Sequence, residues 1–259
     1  MKHENIKITP KWSKSKEDIW CEFFDGLEET QPSKPVRRIS FWKYPVAAAI
    51  IIALAGTITA RYYSVSKVAA RGTHMSAMLP DSSKVILNAE STLTYYPYWW
   101  FASRCVELDG EAYFEVKSGK NFSVKSNKNE VNVLGTSFTV FSRAEKYSVT
   151  CLTGKVEVVA NKKVSILNPN MRLTYRDEKL SIEKNIDEIQ SMGWTKNKFV
   201  FIGVPLVDVI SEIERQYDIN IMADKNLNYF YTGNFEKTER PDDILKIIGK
   251  PFDIKFSIK

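Results

Sequence analysis

The stretch Tyr44–Ala60, YPVAAAIIIALAGTITA, carries no charge and divides the 259-residue chain into a head of 43 residues and a tail of about 200. As a helix it rises about 26 Å, at ~1.5 Å per residue. That is the short end of what spans a bilayer core of about 30 Å. Phe41 and Trp42 precede it and Tyr62 and Tyr63 follow it, and such amphipathic rings suit the headgroup level. Lys43 and Arg61 can snorkel outward from its ends. A buried core helix would show a polar stripe, which is missing here. A cleaved signal peptide would place its apolar region nearer the N-terminus. Lys34, Arg37, Arg38 and Lys43 on the head side face Arg61, Lys67 and Arg71 on the tail side, a weak positive-inside bias toward a cytoplasmic head.

The net charge of +6 is spread along the chain, with no concentrated basic face, so direct nucleic-acid binding is not indicated. Three cysteines are too few for a disulfide scaffold. Cys105 and Cys151, both in strand-like runs, read either as buried free thiols or as a pair in an oxidising compartment. The two histidines, His3 and His74, lie far apart. Neither metal-ligand spacing nor a phosphate loop nor a nucleophile–base motif occurs. These absences argue against an enzyme and against a cofactor.

In the head, Ser15-Lys16-Glu17-Asp18 reads as a helix start, with Ser15 as cap and two acidic residues at the positive helix end. Trp12, Ile19, Trp20, Phe23, Phe24 and Leu27 fall on one face, and Glu22, Asp25, Glu28 and Glu29 on the other. A helix this short is marginal alone in water, and it has no domain in which to bury its rings. An interfacial membrane helix is one reading, but those usually carry Lys and Arg on the polar face. The acidic face favours docking into a groove on a cytoplasmic partner.

From Ser83 to about Lys184 short alternating runs take over, including Val131–Leu134, Ser137–Phe141 and Lys155–Val159. Turn signals recur at Pro80-Asp81-Ser82, Asp109-Gly110, Ser118-Gly119, Leu134-Gly135, Thr153-Gly154 and Asn168-Pro169-Asn170. Ten to twelve strands are expected, in a sandwich, barrel or solenoid.

Four ordered segments carry a resemblance: LPDSSKVILNAES (Leu79–Ser91), VELDGEAYFEV (Val106–Val116), VLGTSFTV (Val133–Val140) and CLTGKVEV (Cys151–Val158). Together they resemble the FecR-type anti-sigma regulators, in the Bacteroides-type branch. Ser82 and Asn170 stand where the family pattern has glycine, and both are ordinary turn residues. Some relatives are thought to split between the Gly and Thr of the third motif. Here that pair is Gly135-Thr136, where a hydroxyl could attack the preceding carbonyl, although the dipeptide also fits a plain turn.

After Trp194 helical spacing returns. Strand, helix and strand are expected twice: Lys198–Ile202, Pro205–Tyr217 and Ile219–Met222, then Tyr229–Thr232, Pro241–Ile248 and Ile254–Ile258. The halves align at an offset of 35, matching Asp208 with Asp243, Ile213 with Ile248 and Tyr217 with Phe252. This paired βαβ module resembles the signalling domains of TonB-dependent transducers and secretins, which pair edge to edge with partner sheets.

The expected organisation is a multi-domain membrane protein. It has a helical head (1–43), one transmembrane helix (44–60), a linker (61–78), an all-β middle domain (79–190), and an α+β module of two βαβ repeats (194–259). The resemblance implies a single-pass inner-membrane regulator with a cytoplasmic N-terminus and a periplasmic C-terminus. Trp12, Ile19, Trp20, Phe23, Phe24 and Leu27 would hold an extracytoplasmic-function sigma factor. Phe199, Phe201, Tyr229, Tyr231, Ile254 and Phe256 would meet the signalling domain of a TonB-dependent outer-membrane receptor. An intramembrane protease acting within the lipid bilayer would release the head. The rival expectation is a tethered carbohydrate-binding or scaffold module, with the aromatic run Tyr95–Trp100 stacking on sugars.

Overall fold

The computed structural model describes residues 11, 13–25, 43–238 and 240–259. The chain divides into two compact units, residues 1–52 and 53–259.

In the first unit, helix α1 (Lys16–Phe24) begins with the expected Ser15 cap, which Asp18 makes reciprocal. The Asp18 amide donates to Ser15 Oγ at 3.1 Å and the Ser15 amide to Asp18 Oδ2 at 3.2 Å, which satisfies two donors that the first turn leaves open. Helix α2 (Lys43–Tyr62), whose residues from Ala53 on belong to the second unit, contains the apolar run and is long and apolar enough to cross a membrane; none of its apolar window is buried. Thr57 and Thr59 return their hydroxyls to the carbonyls of Leu54 and Ala55, both at 2.8 Å, so their polarity is absorbed within the helix.

Strands begin directly after α2. Residues 61–78, expected as a linker, contain β1 (Val65–Ala69) and β2 (Met75–Met78). Their alternation is short and interrupted by Arg71 and Gly72, which hides it in the sequence. Next come β3 (Lys84–Leu87), β4 (Ser91–Tyr95), β5 (Arg104–Glu115), β6 (Phe122–Ser126), β7 (Asn129–Val133), β8 (Ser137–Arg143) and β9 (Lys146–Cys151). The domain ends with β10 (Val156–Ala160), β11 (Lys163–Leu167), β12 (Met171–Arg176) and β13 (Lys179–Lys184). Together they form one curled 13-stranded sheet.

The sheet curls because β5 serves two limbs. Its first half pairs with β4 (Thr92↔Asp109) and, in parallel, with β6 (Val106↔Val124). Its second half pairs with β3 (Phe114↔Val85) and β8 (Phe114↔Phe138). The change of partner falls at Asp109-Gly110, which the sequence reading took for a turn. Gly110 has φ +110°, and a Cβ there would lie 2.7 Å from Ser91 Cα. Only glycine combines that torsion with that approach, so the strand bends without ending. Val106, Leu108, Ala112 and Phe114 stay on the buried side through the bend. Phe114 stacks on Phe138 of its own limb at 5.1 Å and meets Phe122 of the other edge-on at 6.3 Å. Burying each such ring contributes about 1.5–3 kcal/mol, and the limbs close on one core. Cys105 and Cys151 are both free.

A short helix, α3 (Glu188–Met192), leads to the terminal module: β14 (Lys198–Pro205), α4 (Leu206–Tyr217), β15 (Ile221–Ala223), β16 (Phe230–Glu236), α5 (Pro241–Gly249) and β17 (Phe256–Ile258). The duplicated order is present, and the 35-residue offset reaches the backbone. Asp218 and Asp253 both end their helical segments in the left-handed conformation, at φ 53° and 52°. The pairing differs from two self-contained βαβ units. β14 pairs antiparallel with β16, and β15 with β17, so each ladder joins one repeat to the other. Leu206, Ile213, Ile244 and Ile248 fill the shared core.

Candidate functional site: the head helix and the junction of the two tail domains

Helix α1 presents its apolar residues outward. Trp20 is 65% exposed, Phe23 77%, Phe24 46% and Ile19 40%, and no residue of the helix is buried. Trp20 and Phe24, one turn apart, touch at 4.7 Å between ring centroids. Glu17, Asp18, Glu22 and Asp25 supply acidic groups, and Lys14 pairs with Glu22 at 2.7 Å. Trp12 and Leu27, expected on the same apolar face, lie outside the described residues.

In the tail, α4 is amphipathic in an unusual way. Leu206, Val209, Ile210 and Ile213 enter the module's own core. A flanking stripe, Asp208, Glu212 and Gln216 at successive four-residue intervals, docks on the β domain rather than facing water. At its first turn, Asp208 is held by Lys146 and by Arg176, the latter at 3.2 Å. At its last turn, Arg71 Nη2 donates to the carbonyls of Glu214 (3.0 Å) and Ile219 (2.9 Å), and the Gly72 amide donates to that of Arg215 (2.7 Å). A guanidinium and an amide therefore meet the negative end of the helix.

Between these grips lies a buried polar cluster. Asn88 is fully buried. Its Nδ2 donates to Glu111 Oε2 at 2.7 Å and to Glu212 Oε1 at 3.3 Å, and its Oδ1 accepts from Gln216 Nε2 at 2.5 Å. Gln216 Nε2 also donates to Glu212 Oε1 at 2.9 Å, and Gln216 Oε1 lies 3.0 Å from His74 Nε2. Arg215 takes Glu212 Oε2 with two nitrogens, at 3.1 and 2.8 Å. The bend in β5 aims Glu111 at the cluster, and the Ser91 hydroxyl beside the bend accepts from the Glu111 amide at 3.0 Å.

Two carboxyl groups enclosed together cannot both ionise cheaply. Burial, reinforced by the Glu212 charge, raises Glu111 to about 7. Glu212 is shifted downward despite its burial, because Arg215 pairs with it directly. Burial lowers His74. Of the two carboxyls, Glu111 therefore holds a proton more readily. Beside the cluster an open cleft of about 630 Å³ runs between the outer face of β8, β9 and β12 and the module, lined by Thr139, Ser148, Thr150, Arg172 and Phe201 among others.

Four of the six residues expected to meet a receptor lie in the module's core. Phe199, Phe201, Tyr231 and Ile254 are 5–9% exposed and belong to the module's core. Phe256 is half-buried against that core, and Tyr229 alone of the six is 41% exposed, stacked on Phe252 at 4.8 Å. The exposed apolar positions on β14 and β16 are Ile202 (58% exposed) and Phe230 (71%). Gly135 is required where it stands, since a Cβ would come within 2.7 Å of Ser118 Cα. Thr136 is buried, and its hydroxyl donates to the Lys155 carbonyl at 3.2 Å. Sequence reasoning missed the cluster of Asn88, Glu111, Glu212 and Gln216. The available signal was the polar stripe Asp208, Glu212 and Gln216 along α4, of which only Glu212 has a basic partner on the helix, Arg215.

Residues 66–157 match the family described as FecR protein, and residues 198–259 match the family described as FecR, C-terminal. The chain belongs to the FecR family. The first FecR segment covers the curled β domain from β1 to the start of β10, and the second covers the terminal module. No curated protein matches this FecR-family chain. It is similar to a protein from Parabacteroides distasonis ATCC 8503 described as a candidate anti-sigma factor, solved at 2.50 and 1.65 Å resolution. The first structure shares 26% identity at a TM-score of 0.70 and the second 27% at 0.69, each match covering 74% of this chain and 93% of the other.

Proposed function

We propose that this FecR-family chain is an anti-sigma regulator that crosses the inner membrane once, with α1 in the cytoplasm and the two tail domains in the periplasm. The observation that carries the reading is the outward aromatic face of α1, which nothing among the described residues buries. Trp20, Phe23 and Phe24 form the apolar ridge that a helix lays into a groove, and the partner is an extracytoplasmic-function sigma factor. FecR membership and the likeness to the Parabacteroides protein support the sigma factor as the class of partner.

Signal enters through the terminal module, from the signalling domain of a TonB-dependent outer-membrane receptor. Ile202, Tyr229 and Phe230 offer the exposed apolar surface for it. The cluster at Asn88 ties the module to the β domain, and β1 follows the apolar helix after only two residues. A pull on the module is thereby transmitted to the span with little slack, and proteolysis in or near the span would free the head. Co-purification of the full chain with its sigma factor tests the reading; a chain that retains no sigma factor under any condition removes it.

A further inference from the structure

The uncharged aromatic loop after β4 has no role in the function proposed above, and its position gives it one. The β1–β4 ladder begins at Val65↔Tyr95, and Val65 stands three residues beyond the last residue of α2. The chain leaving Tyr95 must therefore emerge beside the end of the apolar helix. The contacts agree: Tyr98 meets Tyr63 at 5.2 Å between ring centroids, and the Arg61 guanidinium lies over the Trp99 ring at 5.4 Å.

The loop is built to hold its rings out. Tyr95 and Trp100 are buried, packed edge-on to each other at 6.0 Å, and Trp100 also meets Phe122 at 6.0 Å. Those two anchors leave Tyr98 61% exposed and Phe101 75% exposed, with Trp99 beside Phe101 at 5.6 Å. Tyr96–Ser103 contains no charged residue. The next residue, Arg104, is engaged by Asp81 and by the carbonyls of Lys117 and Lys120. Tyr and Trp rings with an apolar body and a polar tip favour the membrane–water interface. Exposed large apolar side chains grouped at one place mark an interaction surface.

We propose that Tyr98, Trp99 and Phe101 insert into the interfacial region of the lipid bilayer beside the end of α2, giving the β domain a second contact with the membrane. The inference rests on α2 being a membrane span. It fixes the orientation of the β domain on the bilayer, which a single tether would leave free.

The test is nitroxide accessibility in the full chain, reconstituted in nanodiscs of phosphatidylethanolamine and phosphatidylglycerol. Labels are placed one at a time by Phe101→Cys, Ile52→Cys and Ile247→Cys, in a Cys21→Ser, Cys105→Ser background; Cys151 is buried. All three labelled residues are exposed, so folding is expected to survive, and circular dichroism checks it. Ile52 reports the span. Ile247 reports the terminal module, which docks through Arg71 and Gly72 beyond the opposite end of β1. The expected result is that position 101 resembles position 52, with oxygen collisions several-fold favoured over those of a water-soluble nickel complex relative to position 247. A water-like position 101 beside a lipid-like position 52 overturns the proposal and leaves the span intact. Low collision with both reagents at 101 means that protein covers the loop and also overturns it. A position 52 that is not lipid-like overturns the span itself.

Discussion

Asn88 Nδ2 donates to Glu212 Oε1 at 3.3 Å across the boundary between the β domain and the terminal module, and the same nitrogen donates to Glu111 Oε2 at 2.7 Å. One amide thus holds together two carboxyl groups from different domains. The two are shifted in opposite directions, Glu111 upward by burial and Glu212 downward, despite its burial, by the Arg215 guanidinium.

That arrangement sets a pH dependence. Glu111 is raised from an ordinary 4.5 to about 7, so between those values the folded chain binds more protons than the unfolded one. Stability from this group is complete below pH 4.5 and falls as pH rises toward 7, by on the order of 3 kcal/mol at ~1.4 kcal/mol per unit. Glu212, shifted downward, contributes stability that is lost only as pH falls below the ordinary carboxylate range. His74, lowered by burial, loses stability as pH falls below about 6.5, opposing Glu111. Comparison with Glu111→Gln isolates the first effect. Thermal melts of the full chain in detergent should show the variant flatter between pH 4.5 and 7, and more stable than wild type at pH 7.

The bend in β5 makes Gly110 far less replaceable than Gly203, although both have positive φ. A methyl group at 110 meets Ser91, whereas at 203 it meets open space. Gly110→Ala should cost about 3 kcal/mol or more, combining strain with overpacking. Gly203→Ala should cost about 1–2 kcal/mol for the torsion alone. Denaturant unfolding of both variants measures the difference.

Local chemistry was legible in the sequence, and long-range pairing was not. The Ser15–Asp18 cap, the apolar run of α2 and the 35-residue repeat of the module each lie within one periodic stretch. The bend at Asp109-Gly110 has the composition of a turn, and only the partners of β5 distinguish the two. Phe199, Phe201 and Tyr231 are recognisable as strand aromatics, but only the packing of the two helices on the sheet makes them core. The cluster joins His74, Asn88 and Glu111 to Glu212 and Gln216, more than a hundred residues away, and no spacing rule connects them.

Phe230 and its neighbour Tyr231 separate surface from core on the module. Phe230→Asp should weaken binding of the receptor's signalling domain by about tenfold or more, as expected for an interface anchor, with the melting temperature unchanged. Tyr231→Ala should instead destabilise the module by about 3–5 kcal/mol, the range for a buried aromatic. Titration of the purified signalling domain against the full chain, with melts alongside, checks both.

The most direct measurement of the proposed output is the affinity of the sigma factor for the full chain in nanodiscs, wild type against Trp20→Ala with Phe23→Ala. Both side chains are exposed on α1, so the substitutions leave the tail domains untouched. The expected result is a loss of about 100-fold or more, from two aromatic anchors at ~2 kcal/mol each. Unchanged affinity in the double variant would contradict the assignment of α1 as the sigma-binding element.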